Sequence, residues 1–322
     1  MKHLGVLTSG GDAPGMNAAI RAVVRTAVHD GIRVSGVYRG FQGLLDDDIV
    51  ELGPRSVANI LQRGGTVLRT ARCELFYQPE GRTAAAATLA RHDIDGLVVI
   101  GGDGSFRGAQ ALETEHGVKV VGIPATIDND INGTDVSIGF STALDIALEA
   151  VDRLRDTAAS HDRHFLVEVM GRHAGHIALH VGVAGGAEVI VVPEVPQTAD
   201  DVVDLLLKAE ERGKTSSIVV VAEGAYAGGA RRLQEAVEAA TGFELRTVIL
   251  GHTQRGGSPC SRDRVLASRL GFHAVRTLAA GKSGVMVGTK WRQVVRIPLA
   301  ELADHPKPID RELLEIAQVL AV

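Results

Sequence analysis

In the stretch Lys119-Val-Val-Gly-Ile-Pro-Ala-Thr-Ile-Asp-Asn-Asp130, a short apolar run is followed at once by two carboxylic acids. The run up to Ile123 predicts a buried β-strand, because it is apolar, β-branched and short. Core packing does not explain Asp128 and Asp130 directly after such a strand, since acid groups are seldom buried in a core. Open α/β sheets carry their chemistry at the carboxyl ends of their strands. The stretch therefore predicts an α/β sheet with a reactive site at that edge.

Similar apolar runs alternate with helical segments along the chain, which is typical of βαβ units around mostly parallel sheets. Ala18–Val28 and Phe140–Leu154 each carry their apolar residues on one helical stripe, so each is predicted to pack on a sheet. The fold class is therefore predicted to be α/β. The other predicted strands are Leu4–Leu7, Leu97–Ile100, Leu166–Val169, Val189–Val192, Ile218–Val221 and Thr247–Leu250.

Composition restricts the class of function. A chain of 322 residues with 45% apolar residues and a formal net charge of −5 can form more than one core, and it lacks the basic excess of a nucleic-acid binder. Only Cys73 and Cys260 are cysteines, which argues against a disulfide framework and for a reducing compartment. No stretch resembles a signal peptide or a membrane span, so we expect a cytoplasmic protein without membrane contacts.

Two glycine-rich segments follow predicted strands and suit phosphate binding. In Thr8–Asn17, glycines 10, 11 and 15 would let backbone N–H groups approach an anion, and Pro14 is predicted in the first turn of the next helix. A plain strand-to-helix turn remains an alternative for this segment. In Gly101–Gly108, Asp103 stands among glycines, and a carboxylate in a phosphate cradle indicates a magnesium ligand.

Further segments place cationic side chains near strand ends. Met170-Gly-Arg172 and Gly251–Pro259 each follow a predicted strand, and the latter repeats the Arg-Gly-Gly pattern of Gln62–Thr66, which could mark related halves. Arg163 and Arg246 lie near the starts of two strands. Any single arginine could form only a surface salt bridge, but several together favour a phosphorylated sugar as ligand.

Together, Thr8–Asn17, Gly101–Gly104, Thr126–Asp130, Met170–Arg172 and Gly251–Gly257 resemble the bacterial 6-phosphofructokinase family, in order and over nearly the whole chain. The resemblance implies two Rossmann-like three-layer α/β/α domains. The larger, nucleotide-binding domain would comprise residues 1–138 plus 251–302. The smaller, sugar-phosphate domain would comprise residues 139–250 plus 303–322.

The resemblance also implies a reaction and its residues. ATP with Mg²⁺ would phosphorylate the 1-hydroxyl of fructose 6-phosphate, the committed step of glycolysis, with Asp128 as general base and Asp103 as the metal ligand. Asp130, Thr126, Arg72 and Arg172 would assist catalysis. The implied nucleotide contacts are Gly11, Phe41, Arg72, Cys73, Gly102, Asp103, Gly104, Ser105 and Gly108. The implied sugar-phosphate contacts are Thr126, Ile127, Asp128, Arg163, Met170, Gly171, Arg172, Glu223, Arg246, His252, Thr253, Gln254 and Arg255.

Two small residues select the phosphoryl donor. Relatives that use pyrophosphate generally carry Asp at the position of Gly104 and Lys at the position of Ala125. A carboxylate at the first position would repel the α-phosphate of ATP, whereas the two residues present leave room for a nucleotide. ATP is therefore favoured as the donor.

The family resemblance further implies an allosterically regulated homotetramer, with substrate and effector sites shared between subunits. Pro54 and Thr215-Ser216 depart from the basic residues common at these positions, which makes the effector difficult to identify. The implied effector contacts are Arg21, Arg25, Arg55, Arg155, Gly186, Glu188, Arg212 and Lys214.

Three other functions compete with this interpretation. A pyrophosphate-dependent phosphofructokinase would differ mainly in its donor. A non-catalytic sugar-phosphate sensor would have little use for Asp103, Asp128 and Asp130 together. An NAD or lipid kinase would share the Gly101–Gly104 loop but would leave Gly251–Gly257 without a purpose.

Overall fold

The computed structural model describes residues 1–302 and 306–321, and the chain forms two compact units. The first unit comprises Met1–Thr126, Ile131–Thr142 and Arg255–Lys307, and the second comprises Ile127–Asp130, Ala143–Gln254 and Pro308–Val322. The unit boundaries fall after Thr142 and before Arg255, whereas the domain boundaries predicted from the sequence fall after residues 138 and 250. Residues 303–305 and 322, which the predicted second domain includes, lie outside the described residues.

The strands, in chain order, are β1 (His3–Ser9), β2 (Arg33–Val37), β3 (Ile49–Glu51), β4 (Gly96–Gly101), β5 (Val120–Pro124), β6 (His164–Val169), β7 (Val189–Val191), β8 (Ser217–Ala222), β9 (Leu245–Ile249), β10 (Val285–Lys290) and β11 (Gln293–Pro298). The α-helices are α1 (Met16–His29), α2 (Phe41–Leu45), α3 (Pro79–Arg91), α4 (Asp103–His116), α5 (Phe140–His161), α6 (His176–Ala184), α7 (Ala199–Glu211), α8 (Gly229–Thr241), α9 (Ser261–Ala279) and α10 (Arg311–Leu320).

The sheet of the first unit has the order β11-β10-β5-β4-β1-β2-β3, and only β3 and β11 run antiparallel to their neighbours. Ser9 pairs with Gly101, and Gly101 pairs with Pro124. The carboxyl ends of β1, β4 and β5 are therefore level with one another. The chain segments that follow these three strands start side by side at one edge.

Helices cover both faces of this sheet. Side chains alternate between the two faces along each strand, so apolar strands present an apolar surface on both faces. On β4, Leu97 and Val99 belong to a core with Phe106 of α4, while Val98 and Ile100 are buried on the opposite face. Helices α1 and α9 pack against each other, and Gly271 permits their close approach. The first unit is thus a three-layer α/β/α structure.

The sheet of the second unit has the order β7-β8-β6-β9, with all of its pairings parallel. Leu166 of β6 and Val219 of β8 are buried with Val202 of α7 and Leu233 of α8, so α7 and α8 cover one face. Helix α6 contacts β7 and β8 and also packs against α10. A capping box at Thr198 and Asp201 starts α7.

The predicted α/β fold class with mostly parallel sheets is confirmed, and each predicted strand is present. The prediction for Pro14 is wrong, because α1 begins at Met16 and Gly15 caps it with a left-handed φ of 111°. Strands β2, β3, β10 and β11 were not predicted. In the described part of the chain, no helix has both the length and the apolar character needed to span a bilayer.

Candidate functional site

The two predicted phosphate cradles lie next to each other at the carboxyl edge of the first unit's sheet. A Cβ atom on Gly10 would lie 3.3 Å from Oγ of Ser105, and the N–H of Ala125 donates to the carbonyl oxygen of Gly101 over 2.9 Å. Gly10 has a left-handed φ of 85°, which glycine adopts without steric cost. The structure therefore brings together segments that are separated by about ninety residues of sequence.

Two side-chain hydrogen bonds join the first cradle to a loop distant in sequence. Oγ1 of Thr70 donates to the carbonyl oxygen of Gly10 over 2.7 Å, and Oγ1 of Thr8 donates to that of Arg69 over 2.7 Å. These bonds bring the chain just before Arg72 to the cradle. Arg72 itself is exposed, so its guanidinium is accessible to an anion.

Arg255 also lies at the first cradle. Its Nη1 donates to the carbonyl oxygen of Asp12 over 3.2 Å. The sequence grouped Arg255 with the sugar-phosphate contacts, and nothing local in Gly251–Pro259 indicates this contact.

In the second cradle, Gly102 precedes α4 and Asp103 is its first residue. The carboxylate of Asp103 forms an ion pair with Arg107 at 2.7 Å and remains 35% exposed, so it is accessible to a second cation. A Cβ atom on Gly104 would meet no atom within 4 Å. Within residues 1–302 and 306–321, no three His, Cys, Asp or Glu side chains are grouped as a metal cage requires. Mg²⁺ fits such a site, because it commonly binds through one or two carboxylates together with substrate phosphates and water.

Phe41, an implied nucleotide contact, lies in the hydrophobic core of the first unit. Its ring stacks on Phe76 with centroids 4.0 Å apart, and it is buried. Gly108 packs against this pair, since a Cβ atom there would lie 3.0 Å from Phe76. Cys73 lies beside the same core, and burial raises the pKa of its thiol, which keeps it protonated at neutral pH.

The segment after β5 carries the paired acids. Oγ of Ser137 donates to the carbonyl oxygen of Thr126 over 2.7 Å, which fixes the end of the strand. Ile127, Asp128 and Asn129 are buried, and Asn129 has a left-handed φ of 53°, a conformation that asparagine tolerates. Asp128 is thus a buried carboxyl group, whereas Asp130 is partly exposed.

The carboxyl edge of the second unit's sheet brings Met170, Gly171, Arg172 and Glu223 together. The N–H of Glu223 donates to Val169, and Oε1 of Glu223 accepts from the N–H of Arg172 over 2.6 Å. Arg172 has a left-handed φ of 58° and an exposed side chain. The turn thus exposes a guanidinium beside a carboxylate, and a guanidinium binds anionic oxygens through charge-assisted hydrogen bonds.

Gln254 links this edge to the segment after β9. Its Oε1 accepts from the N–H of Met170 over 2.8 Å, and the side chain is fully buried. Oγ1 of Thr253 donates to the carbonyl oxygen of Leu250 over 2.6 Å, and His252 is exposed. Gln254 therefore holds the backbone of Met170 from a buried position, whereas His252 is accessible to a ligand.

Arg163 and Arg246 do not join these residues. Arg163 precedes β6, and Arg246 is the second residue of β9, where it pairs in register with Phe165. Both lie at the amino edge of the sheet, opposite to Met170 and Glu223. The sequence places both arginines near strand starts, and parallel strands bring starts and ends to opposite edges of a sheet.

A cavity of about 700 Å³ opens in the second unit, and several of the predicted effector contacts line it. Glu188 is buried and accepts from Nζ of Lys214 over 3.1 Å, with Arg155 at 3.5 Å. Arg155 also donates to the carbonyl oxygens of Gly185 and Gly186. The cavity therefore holds two cations against one carboxylate, which suits a phosphorylated ligand.

The remaining predicted effector contacts lie elsewhere. Arg21, Arg25 and Arg55 belong to the first unit, and Arg212 is exposed at the end of α7. Burial, and then the positive charge of the neighbouring Arg25, lower the pKa of Arg21.

Sequence reasoning missed Asp263 on α9. Its carboxylate is fully buried and accepts from the N–H groups of Gly139 and Thr142 at 3.0 and 2.8 Å. Burial raises the pKa of Asp263. Asp263 thereby caps the start of α5, and its position early in an amphipathic helix gave no signal of that role.

Three comparisons place these features among known proteins. The family model described as Phosphofructokinase matches residues 3–278. An ATP-dependent 6-phosphofructokinase 1 of Thermus thermophilus is 59% identical over 322 residues, and one of Thermotoga neapolitana is 52% identical over 321 residues, each alignment covering 100% of both chains. A solved phosphofructokinase of Saccharomyces cerevisiae has a TM-score of 0.89 at 37% identity, covering 94% of this chain and 45% of the yeast chain.

Proposed function

The chain belongs to the phosphofructokinase family, and we infer that it transfers the terminal phosphoryl group of ATP to the 1-hydroxyl of fructose 6-phosphate. The strongest support for this inference is the sequence similarity to bacterial ATP-dependent enzymes, which extends over the full length of both chains. The glycine cradles at one sheet edge, with a carboxylate at the start of α4, provide the phosphate-binding chemistry that such an enzyme needs.

The nucleotide phosphates would lie against the cradles of the first unit. Backbone N–H groups of Gly11 and of residues 102–104 would donate to them, and Arg72 would offset charge on the transferred group. Asp103 would hold Mg²⁺, which neutralises phosphate charge when bound. Arg107, now paired with Asp103, would give way to the metal.

The sugar phosphate would bind at the carboxyl edge of the second unit's sheet. Glu223 would accept hydrogen bonds from sugar hydroxyls, and Arg172 would donate to the phosphoryl group in transfer. Asp128 would take the proton of the 1-hydroxyl as that oxygen attacks, a role commonly worth about 10²–10⁴-fold in rate. Asp128 is buried directly behind β5, where bulk water has little access to it.

Arg163 and Arg246 support a shared site in a homotetramer. Both lie at the amino edge of the second unit's sheet, away from Glu223 and Met170 of the same chain. As contacts of the 6-phosphate, they would serve the site of a neighbouring subunit. Each active site would then depend on two chains.

The residues near the donor support ATP over pyrophosphate. Gly104 faces open space, and Ala125 is buried without a charge. Neither residue would repel the α-phosphate of a nucleotide or neutralise a small inorganic donor.

The cavity beside Glu188 supports an effector site for a phosphorylated metabolite such as ADP or phosphoenolpyruvate. Lys214 and Arg155 would supply its cationic contacts.

A coupled assay with purified protein tests the proposed function. Fructose 6-phosphate is supplied with ATP or with pyrophosphate, each with and without Mg²⁺. Turnover is expected only when both ATP and Mg²⁺ are present. Turnover with pyrophosphate but not with ATP would overturn the donor assignment. Binding of fructose 6-phosphate without turnover under any condition would favour the sensor.

A further inference from the structure

The two Arg-Gly-Gly turns of the first unit touch each other. A Cβ atom on Gly64 would lie 2.2 Å from the carbonyl oxygen of Gly257, a distance that real Cβ atoms do not adopt. Gly64 does not have a left-handed φ, so its backbone conformation would accept any residue. Position 64 therefore requires glycine for steric reasons. The backbone that a side chain there would meet is that of Gly257, in the turn that carries Arg255.

A second glycine lies against the Arg255 side chain itself, which a Cβ atom there would displace. A Cβ atom on Gly11 would lie 2.5 Å from Nη1 of Arg255 and 3.2 Å from its Cζ atom. Gly11 also lacks a left-handed φ. The guanidinium of Arg255 therefore rests on the α-carbon of Gly11 while Nη1 donates to the carbonyl oxygen of Asp12 over 3.2 Å.

Asn17 joins the turn at Gly64 to the first cradle. Its Nδ2 donates to the carbonyl oxygens of Arg63 and Gly64 at 3.0 and 3.1 Å, and its Oδ1 accepts from the N–H of Val67 over 2.7 Å. The Asn17 side chain is buried, so these bonds exclude water. The cradle, the turn at Gly64 and the turn behind Arg255 are thus one interlocked assembly.

We propose that Gly11 and Gly64 are positioning residues for Arg255, so that the nucleotide-side cradle sets the affinity for the sugar phosphate. Arg255 has five N–H donors and uses one on Asp12, which leaves the others available for a phosphate. A side chain at either glycine displaces the guanidinium or the turn that carries it. This inference rests on the proposed function and on the sugar-phosphate contact that the family resemblance implies for Arg255.

The first test is direct binding of fructose 6-phosphate by calorimetry, without nucleotide, so that a nucleotide role of Gly11 does not interfere. Gly64→Ala should weaken binding about tenfold, although Gly64 is not one of the implied sugar-phosphate contacts. Gly65→Asn is the matched control, because Gly65 has a φ of 64°, which asparagine tolerates, and no atom within 4 Å of a Cβ. Binding by Gly65→Asn should stay within about twofold of wild type.

A double-mutant cycle of Gly11→Ala and Arg255→Ala decides whether Arg255 carries the effect. Gly11→Ala should weaken fructose 6-phosphate binding in the wild-type background and change it less than about twofold in the Arg255→Ala background. A merely structural role would lower the melting temperature without this coupling. Additive effects, or unchanged binding in Gly11→Ala, would overturn the inference. If Gly64→Ala does not fold, the double-mutant cycle alone determines whether the cradle positions Arg255.

The inference and the proposed function can fail separately. A wild-type protein that neither binds nor phosphorylates fructose 6-phosphate would refute the function. An active wild type with an additive cycle would refute only the coupling.

Discussion

The backbone N–H of Arg172 donates to the carboxylate of Glu223 over 2.6 Å, across the loops that follow two adjacent strands. Gly224, the next residue, allows this contact, because a Cβ atom there would lie 1.9 Å from the carbonyl oxygen of Arg172. Arg172 is thus fixed by its backbone, while its side chain remains free to meet a ligand.

Gly224→Ala should lower kcat/KM for fructose 6-phosphate by about a hundredfold, because a displacement of about 1 Å in a catalytic group costs that much. Gly53→Ala is the control, since a Cβ atom at Gly53 would meet no atom within 4 Å. Steady-state kinetics check both variants. Equal kcat/KM values would show that the position of Arg172 is unimportant.

Asp128→Ser should reduce kcat at least about a hundredfold and leave fructose 6-phosphate binding nearly unchanged, because a general base acts only in the transition state. Turnover and calorimetric binding are measured on the same preparation. Asp152→Ser, at an exposed position of α5, should retain wild-type turnover. Near-normal turnover in Asp128→Ser would remove this residue from the role of base.

Gly104→Asp should raise the KM for ATP about tenfold or more, because a carboxylate there would face the nucleotide phosphates. The open space at Gly104 means that this effect is electrostatic and not steric. Gly104→Ser adds a side chain without charge and should raise the KM much less. Similar KM values for the two variants would contradict the charge argument.

Asp263 should make stability depend on pH. Because burial raises its pKa above the ordinary value of 3.8, the folded protein holds a proton that the unfolded chain has released. The melting temperature of wild type minus that of Asp263→Asn should therefore fall as the pH rises from 3.8 through the raised pKa. Thermal unfolding measured across this pH range checks the prediction, and Asp93→Asn, at an exposed position, is the control. A difference that increases with pH would reverse the assigned direction.

Lys214→Ala should abolish the response of activity to ADP or phosphoenolpyruvate while leaving basal turnover within about twofold, since Lys214 pairs with Glu188 in the cavity proposed to bind an effector. Lys282→Ala, at an exposed turn, is the control. Activity is titrated with each effector at subsaturating fructose 6-phosphate. A response retained in Lys214→Ala would place the effector elsewhere.

The hairpin of β10 and β11 shows why part of the fold escaped prediction. Its two-residue turn, Trp291-Arg292, has φ values of 50° and 65°, which usually require asparagine or glycine. Hydrogen bonds to other parts of the chain stabilise this turn instead. Asp135 accepts from the N–H of Trp291, and Arg269 donates to the carbonyl oxygen of Arg292. No local pattern could indicate contacts with residues so distant in sequence.

The sequence by itself determined the kind of chemistry and the segments that perform it. Glycine turns, Asp103 and the acids after β5 are local patterns, and each follows a strand that an apolar run predicts. Only the tertiary structure decided which side chains share an edge, because that depends on strand direction and register. It placed Arg163 and Arg246 opposite Glu223, and it put Arg255 against Gly11, 244 positions away in the chain.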